Sequence, residues 1–145
     1  ISHRLVLAGK AGYGYEDIQR KIESSLYKAD IILTGFVNEQ EKQELMKHAE
    51  IFLFPSLYEG FGLPVLEAQM MGIPVITSNS SSLPEVAGVE AVLINPNDIN
   101  QMAKEIYRIL KDKSFRDDII KKGYKNTERF SWEKCAREIA ILLAK

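Results

Sequence analysis

Glu59 and Glu67 are two carboxylates with seven residues between them, and those seven include Gly60, Gly62 and Pro64. Glycine removes the Cβ where backbone must come close to a ligand. Proline fits the first helical turn, where its missing N–H costs nothing. The apolar run Ile51-Phe52-Leu53-Phe54 stands just upstream. The order reads as strand, glycine-rich turn, helix start. Such a turn leaves N–H groups unpaired and presents the positive end of the helix dipole, which suits a phosphate. The amides of Phe61, Gly62 and Leu63 are the ones this reading leaves open. A carboxylate is repelled by a phosphate, but it accepts hydrogen bonds from sugar hydroxyls. Glu67, about one turn into the helix, can reach a ribose. Glu59, ahead of the turn, can reach a second sugar. A diphosphate flanked by two polyols is a nucleotide-sugar. Taken singly, either glutamate is better read as a helix-start acid answering the dipole. The full pattern favours a ligand.

These residues need a scaffold, and the chain supplies one in alternating segments. Short apolar runs at Arg4–Gly9, Ile31–Gly35, Ile51–Phe54, Pro74–Thr77 and Ala91–Ile94 read as five strands. They are nearly all apolar rather than alternating, which marks parallel strands covered on both faces. Segments of helical period separate them: Tyr15–Tyr27 with Ile18, Ile22 and Leu26 on one face, Glu39–His48 with Leu45 and Met46 inward, and Leu63–Met71. The expected fold is α/β, a Rossmann-like doubly wound parallel sheet flanked by helices. Ligands of such sheets bind at the carboxyl ends of the strands, where Gly9, Gly35 and Ser56 fall. Three helices follow. Asp98 caps the first, whose inward face is Ile99, Met102, Ala103, Ile106 and Leu110. Ser114–Thr127 is the second. Ser131 caps the third, which carries the stripe Trp132, Ala136, Ile139 and Leu143. That stripe packs on its own sheet or on another domain, and the sequence favours neither.

Bulk properties exclude several classes. The 145 residues fit one domain, 1–145. At 46% hydrophobic and 27% charged the chain is too apolar for disorder. A net charge of -1 gives no support for nucleic-acid binding. No apolar run reaches the length of a membrane span. Cys135 is the only cysteine, so no internal disulfide forms, which fits a reducing compartment. Its place in an apolar-periodic segment favours a core thiol over a nucleophile. The chain starts at Ile1 without a Met and reads as a piece of a longer protein.

The segment from Pro55 to Ala68 resembles the signature of family 4 (group 1) retaining glycosyltransferases, which have the GT-B fold. The likeness continues through Ile32–Val37, Gly72–Ile76, Ser82–Gly88, Asn95–Asp98 and Phe130-Ser131-Trp132, in the family's order. It covers nearly the whole chain. It implies the C-terminal, donor-binding half of the enzyme. It further implies a catalytic-site role for Glu59 as the contact to the transferred sugar's hydroxyls, and Glu67 as the ribose contact. Phe61, Gly62 and Leu63 would meet the distal phosphate and sugar through backbone amides. Backbone near Val37 would face the base, and Gly9-Lys10-Ala11-Gly12 would border the donor cleft. Lys10 fits a phosphate contact or a solvated lysine, and the second is favoured.

The implied reaction moves a hexose from a GDP- or UDP-linked donor to an acceptor hydroxyl. Mannose is indicated by likeness to mannosyltransferase members. The family's Arg and Lys that neutralise the diphosphate lie on a segment absent here. So does the N-terminal domain that engages the acceptor, a glycan or lipid. Alone, the chain is expected to bind donor weakly and not to turn over. The implied location is cytoplasmic, with the full-length protein able to sit at the inner membrane face. The alternatives are a sugar-nucleotide epimerase or phosphorylase of the same fold, or a non-enzymatic nucleotide-binding module.

Other motifs carry less. Gly9–Gly14 lacks the spacing of the dinucleotide fingerprint. No Asp-x-Asp occurs, so a metal site of that type has no support, and no cofactor is expected. His3 and His48 lack metal-ligand spacing. Asp117 and Asp118 read as solvated. Ser82-Leu83-Pro84-Glu85 reads as a capping box. Ser80–Ser82 reads as a turn by composition, with touching the donor as the lesser reading.

Overall fold

The computed structural model describes residues 1–88 and 91–144. Two compact units contain them, Ile1–Leu45 and Met46–Lys145.

The first unit holds β1 (Leu5–Ala8), α1 (Tyr15–Glu23), a short 3-10 turn at Lys28–Asp30 and β2 (Ile31–Gly35). β1 and β2 pair in parallel, Leu5 opposite Ile31 and Ala8 opposite Gly35. α2 (Glu39–Lys47) begins in this unit and ends in the next. α1 stops at Glu23, short of the expected Tyr27. The N–H of Ser24 still reaches Arg20 O, but that of Ser25 turns to Ile22 O and Ser25 Oγ takes the N–H of Tyr27. Hydroxyls offering local partners compete with helix continuation. Leu26 is left 96% exposed, and Ile18 is exposed as well. A capping box lies at the start of α2. Asn38 Oδ1 accepts from Glu41 N at 2.9 Å, and Glu41 Oε2 accepts from Asn38 N at 2.8 Å.

The second unit holds β3 (Phe52–Phe54), α3 (Leu63–Met70), β4 (Val75–Ser78), α4 (Leu83–Ala87) and β5 (Val92–Ile94). α5 (Ile99–Lys111), α6 (Lys113–Thr127) and α7 (Trp132–Leu143) complete it. The sheet order is β3-β4-β5, all parallel. β4 is central and buried along its whole length, as its unbroken Val-Ile-Thr-Ser run requires. One face of the sheet carries Val65, Ala68, Ile73, Val75 and Leu83. The other carries Ile76, Ile94, Ile109 and Ile119. Coverage on both faces was expected of all five strands. It holds for β4, whereas most residues of β1 and β2 are exposed.

The helix caps fall where short polar side chains precede apolar periodicity. Asp98 accepts from Gln101 N at 2.9 Å, Asp112 from Phe115 N at 2.9 Å and Ser131 from Lys134 N at 3.1 Å. The Asp112 cap starts α6 one residue before the expected Ser114. On α5 the fully buried residue is Ile109, which the expected inward face omitted, while Ile99 is 78% exposed at the first turn. No residue of α7 is buried. Cys135 is therefore exposed, which overturns the expectation of a core thiol: apolar spacing on a helix does not ensure that a surface covers it.

Candidate functional site

β3 ends at Phe54 and the chain turns through Pro55 to Gly62 before α3 starts. Gly62 is the N-cap of α3, at φ +113°. That conformation suits glycine, since an L side chain there crowds the carbonyl. A Cβ on Gly62 would also stand 2.8 Å from Leu83 Cδ2. Gly62 is thus fixed by conformation and by close approach. Leu63 and Pro64 form the first turn, and the Pro64 ring occupies a position that needs no N–H. Among the described residues, none accepts from the N–H of Phe61, Gly62 or Leu63. These N–H groups are thus unpaired, on the exposed Phe61 and Leu63 and on the buried Gly62.

Glu59 is half-buried, and Ser56 Oγ donates to its Oε1 at 2.8 Å. The backbone of Glu59 is held by the loop after β4. Its N–H donates to Ser81 Oγ at 3.0 Å, and its carbonyl accepts from Ser82 Oγ at 2.9 Å. Ser82 Oγ also lies 2.7 Å from Phe61 O, and Ser80 Oγ donates to Leu57 O at 3.1 Å. Ser82 makes no side-chain cap to α4. The expected capping box with Glu85 is therefore corrected: the hydroxyl is used by the preceding loop. Glu67 sits half-buried on α3, between the buried Leu66 and Ala68.

The serines could have been anticipated from topology. β3 and β4 are parallel neighbours, with Phe54 opposite Thr77. The loops after them must emerge side by side at the same sheet edge. Hydroxyls at Ser80–Ser82 then face the carbonyls and amides of Leu57–Phe61. Composition alone offered no such partner. A second missed group is Gln69 with Asn126. Asn126 Nδ2 donates to Gln69 Oε1 at 2.8 Å and to Val86 O at 2.8 Å, tying α6 to α3 and α4.

The remaining site residues read from the sequence lie in the first unit. Gly9 follows β1, and its N–H donates to Gly35 O at 2.9 Å. Lys10 places its ammonium 4.8 Å from the centroid of the Phe36 ring. Val37 follows, half-buried. Lys10 is thus a partnered lysine at the carboxyl ends of two parallel strands.

The sequence profile described as "Glycosyl transferases group 1" matches residues 2–126. The chain belongs to the group 1 glycosyltransferase family. It is 36% identical over 138 residues to an O-antigen chain mannosyltransferase B of Escherichia coli, covering 95% of this chain and 36% of that protein. The chain thus spans about a third of the length of the curated relative it matches. Among solved structures, the C-terminal domain of a group 1 glycosyl transferase (LpcC) from Francisella tularensis superposes with a TM-score of 0.74 at 26% identity. That match covers 87% of this chain and 68% of the other. Anabaena Alr3699/HepE, in complex with UDP and glucose, superposes with a TM-score of 0.82 at 21% identity, over 98% of this chain and 40% of that one. The last likeness is one of fold, the GT-B glycosyltransferase fold.

Proposed function

We propose that this chain is the donor-binding half of a retaining glycosyltransferase that moves a hexose from a nucleoside diphosphate to an acceptor hydroxyl. The observation that carries the reading is the set of unpaired N–H groups at the start of α3, with Glu59 held before it and Glu67 one turn within it. The distal phosphate sits on the amides of Phe61, Gly62 and Leu63. Glu59 accepts hydrogen bonds from the hexose, and Glu67 from the ribose. In the reaction the bond from the anomeric carbon to the diphosphate oxygen breaks. A bond from the acceptor oxygen forms on the same face, and the acceptor proton leaves to the departing diphosphate. Negative charge grows on the diphosphate oxygens, and the fixed amide dipoles at the helix start stabilise it without reorganising. Binding along base, ribose and phosphates holds the anomeric carbon in place. The reading calls for no cofactor. The assignment of backbone near Val37 to the base, and of Gly9 and Lys10 to the border of the donor cleft, rests on the family resemblance.

The similar Escherichia coli protein is named a mannosyltransferase, which supports mannose as the hexose. The HepE complex shows that a chain of this fold accommodates UDP and a hexose. The likeness to a domain described as C-terminal supports the assignment to that half. The acceptor, glycan or lipid, would be engaged by a separate domain. A lipid-borne acceptor would bring the full-length protein to the inner membrane face. Among the described residues no helix is long and apolar enough to cross a membrane.

Calorimetry on the full-length gene product tests the assignment, after a thermal-shift panel of UDP-, GDP- and ADP-sugars has fixed the base. Glu67→Ala should weaken the free nucleoside diphosphate and the sugar-bearing donor alike, by about tenfold, the scale of a charged hydrogen bond. Glu59→Ala should spare the free nucleotide and weaken only the sugar-bearing donor. Equal losses for both ligands in both variants would contradict it.

A further inference from the structure

We propose that Ser81 and Ser82 are positioning residues for the donor: Ser81 sets Glu59 toward the sugar, and Ser82 aims the Gly62 amide at the distal phosphate. The inference rests on the reading of Glu59 and the Gly62 amide given above.

Ser81 takes the N–H of Glu59 at 3.0 Å, and Ser82 donates to its carbonyl at 2.9 Å. Both backbone groups of Glu59 are thus held by consecutive hydroxyls of the next loop. Ser56 holds Oε1 at 2.8 Å. Carboxylate Oε2 takes no hydrogen bond from the described residues and is the oxygen left to accept from a ligand.

Ser82 has a single proton and faces two carbonyls, Glu59 O at 2.9 Å and Phe61 O at 2.7 Å, so the bond is shared. Every described peptide is trans. In a trans peptide the C=O and the following N–H point in opposite directions. Turning the Phe61 carbonyl toward Ser82 therefore turns the Gly62 N–H away from it. The hydroxyl of Ser82 sets the direction of the amide assigned to the phosphate.

Ser81 adds an independent sign. At φ +50° it is the one non-glycine residue at positive φ among the described residues. Glycine would hold that conformation more easily. Strain of this kind persists where surrounding structure demands it and clusters at functional sites. Here the hydroxyl is what glycine could not supply.

The test is calorimetry on the full-length gene product with a nucleoside monophosphate, the matching diphosphate and the diphosphate-sugar. Ser81→Gly keeps the backbone conformation and removes the hydroxyl. It should leave the monophosphate and diphosphate within about twofold and weaken the diphosphate-sugar about five- to tenfold, the scale of one lost hydrogen bond. Ser82→Ala should spare the monophosphate and weaken both the diphosphate and the diphosphate-sugar by a similar factor. Ser82→Thr, which retains the hydroxyl, should restore both. A loss of equal size for all three ligands, or for none, overturns the proposal. If Ser82→Ala does not fold, Ser82→Cys, which replaces the hydroxyl by a weak donor of similar shape, takes its place, and an unchanged diphosphate affinity there overturns the role of Ser82. Glu59→Ala separates the two levels. A sugar-selective loss there with none in Ser81→Gly sinks only the positioning role. No loss in Glu59→Ala sinks the reading of Glu59 itself.

Discussion

At Gly62 the backbone at φ +113° and the side chain of Leu83 act on one atom that is not there, the missing Cβ. Leu83 is fully buried, so it has little room to give. Gly62→Ala should cost about 2 kcal/mol from the left-handed conformation and crowding together. Chemical denaturation reads that loss, and nucleotide affinity should fall with it. The glycine was legible in the sequence because a strand-to-helix turn calls for one. Leu83 as the wall behind it was not, because the contact joins residues far apart in the chain. Ser82 shows the opposite error. Ser-x-x-Glu fits a capping box by pattern, yet the hydroxyl finds two carbonyls in the neighbouring loop. The same pattern with Asn38 and Glu41 does form a box. Local pattern decides only where no tertiary partner competes.

The contact of α3 with α6 is built on absent and polar side chains together. A Cβ on Gly123 would lie 3.2 Å from Gln69 Cγ, so the glycine lets α6 come close. Gln69 is buried and donates to Ala87 O at 2.9 Å. Asn126 then donates to Gln69 Oε1 and Val86 O, and accepts from Arg129 Nη1 at 2.7 Å. Asn126→Ala leaves those acceptors unpaired and should destabilise by about 2 kcal/mol. Asn126→Asp should be no better, since a carboxylate cannot donate to either oxygen. Thermal melting of the two variants checks both statements. The helices themselves were legible from 3.6-residue spacing and caps, and Asp98 and Ser131 cap as read. α5 shows the limit. Spacing found its amphipathic character but placed the exposed Ile99 on the inward face and omitted Ile109, because helix rotation is set by what packs above it.

Across the molecule, burial is uneven. β4 is buried at every residue, while β1 and β2 are largely open. Hydrogen exchange should therefore be slowest at the amides of Val75–Ser78 and faster along Leu5–Ala8 and Ile31–Gly35, since opening free energy follows local burial. Equal protection of the two sheets would contradict this. Apolar runs in the sequence identified every strand among the described residues, and their parallel sense. They did not distinguish a central strand from an edge, because a run of Val, Ile and Leu reads alike in both. α7 is the extreme of this unevenness. Its stripe of Trp132, Ile139 and Leu143 lies in the open, at 79%, 50% and 82% exposure. Trp132 is also the chain's single tryptophan. The protein therefore carries a built-in optical gauge at that helix. Its indole should emit as one bathed in water, and a blue shift would signal that something has come to lie over it.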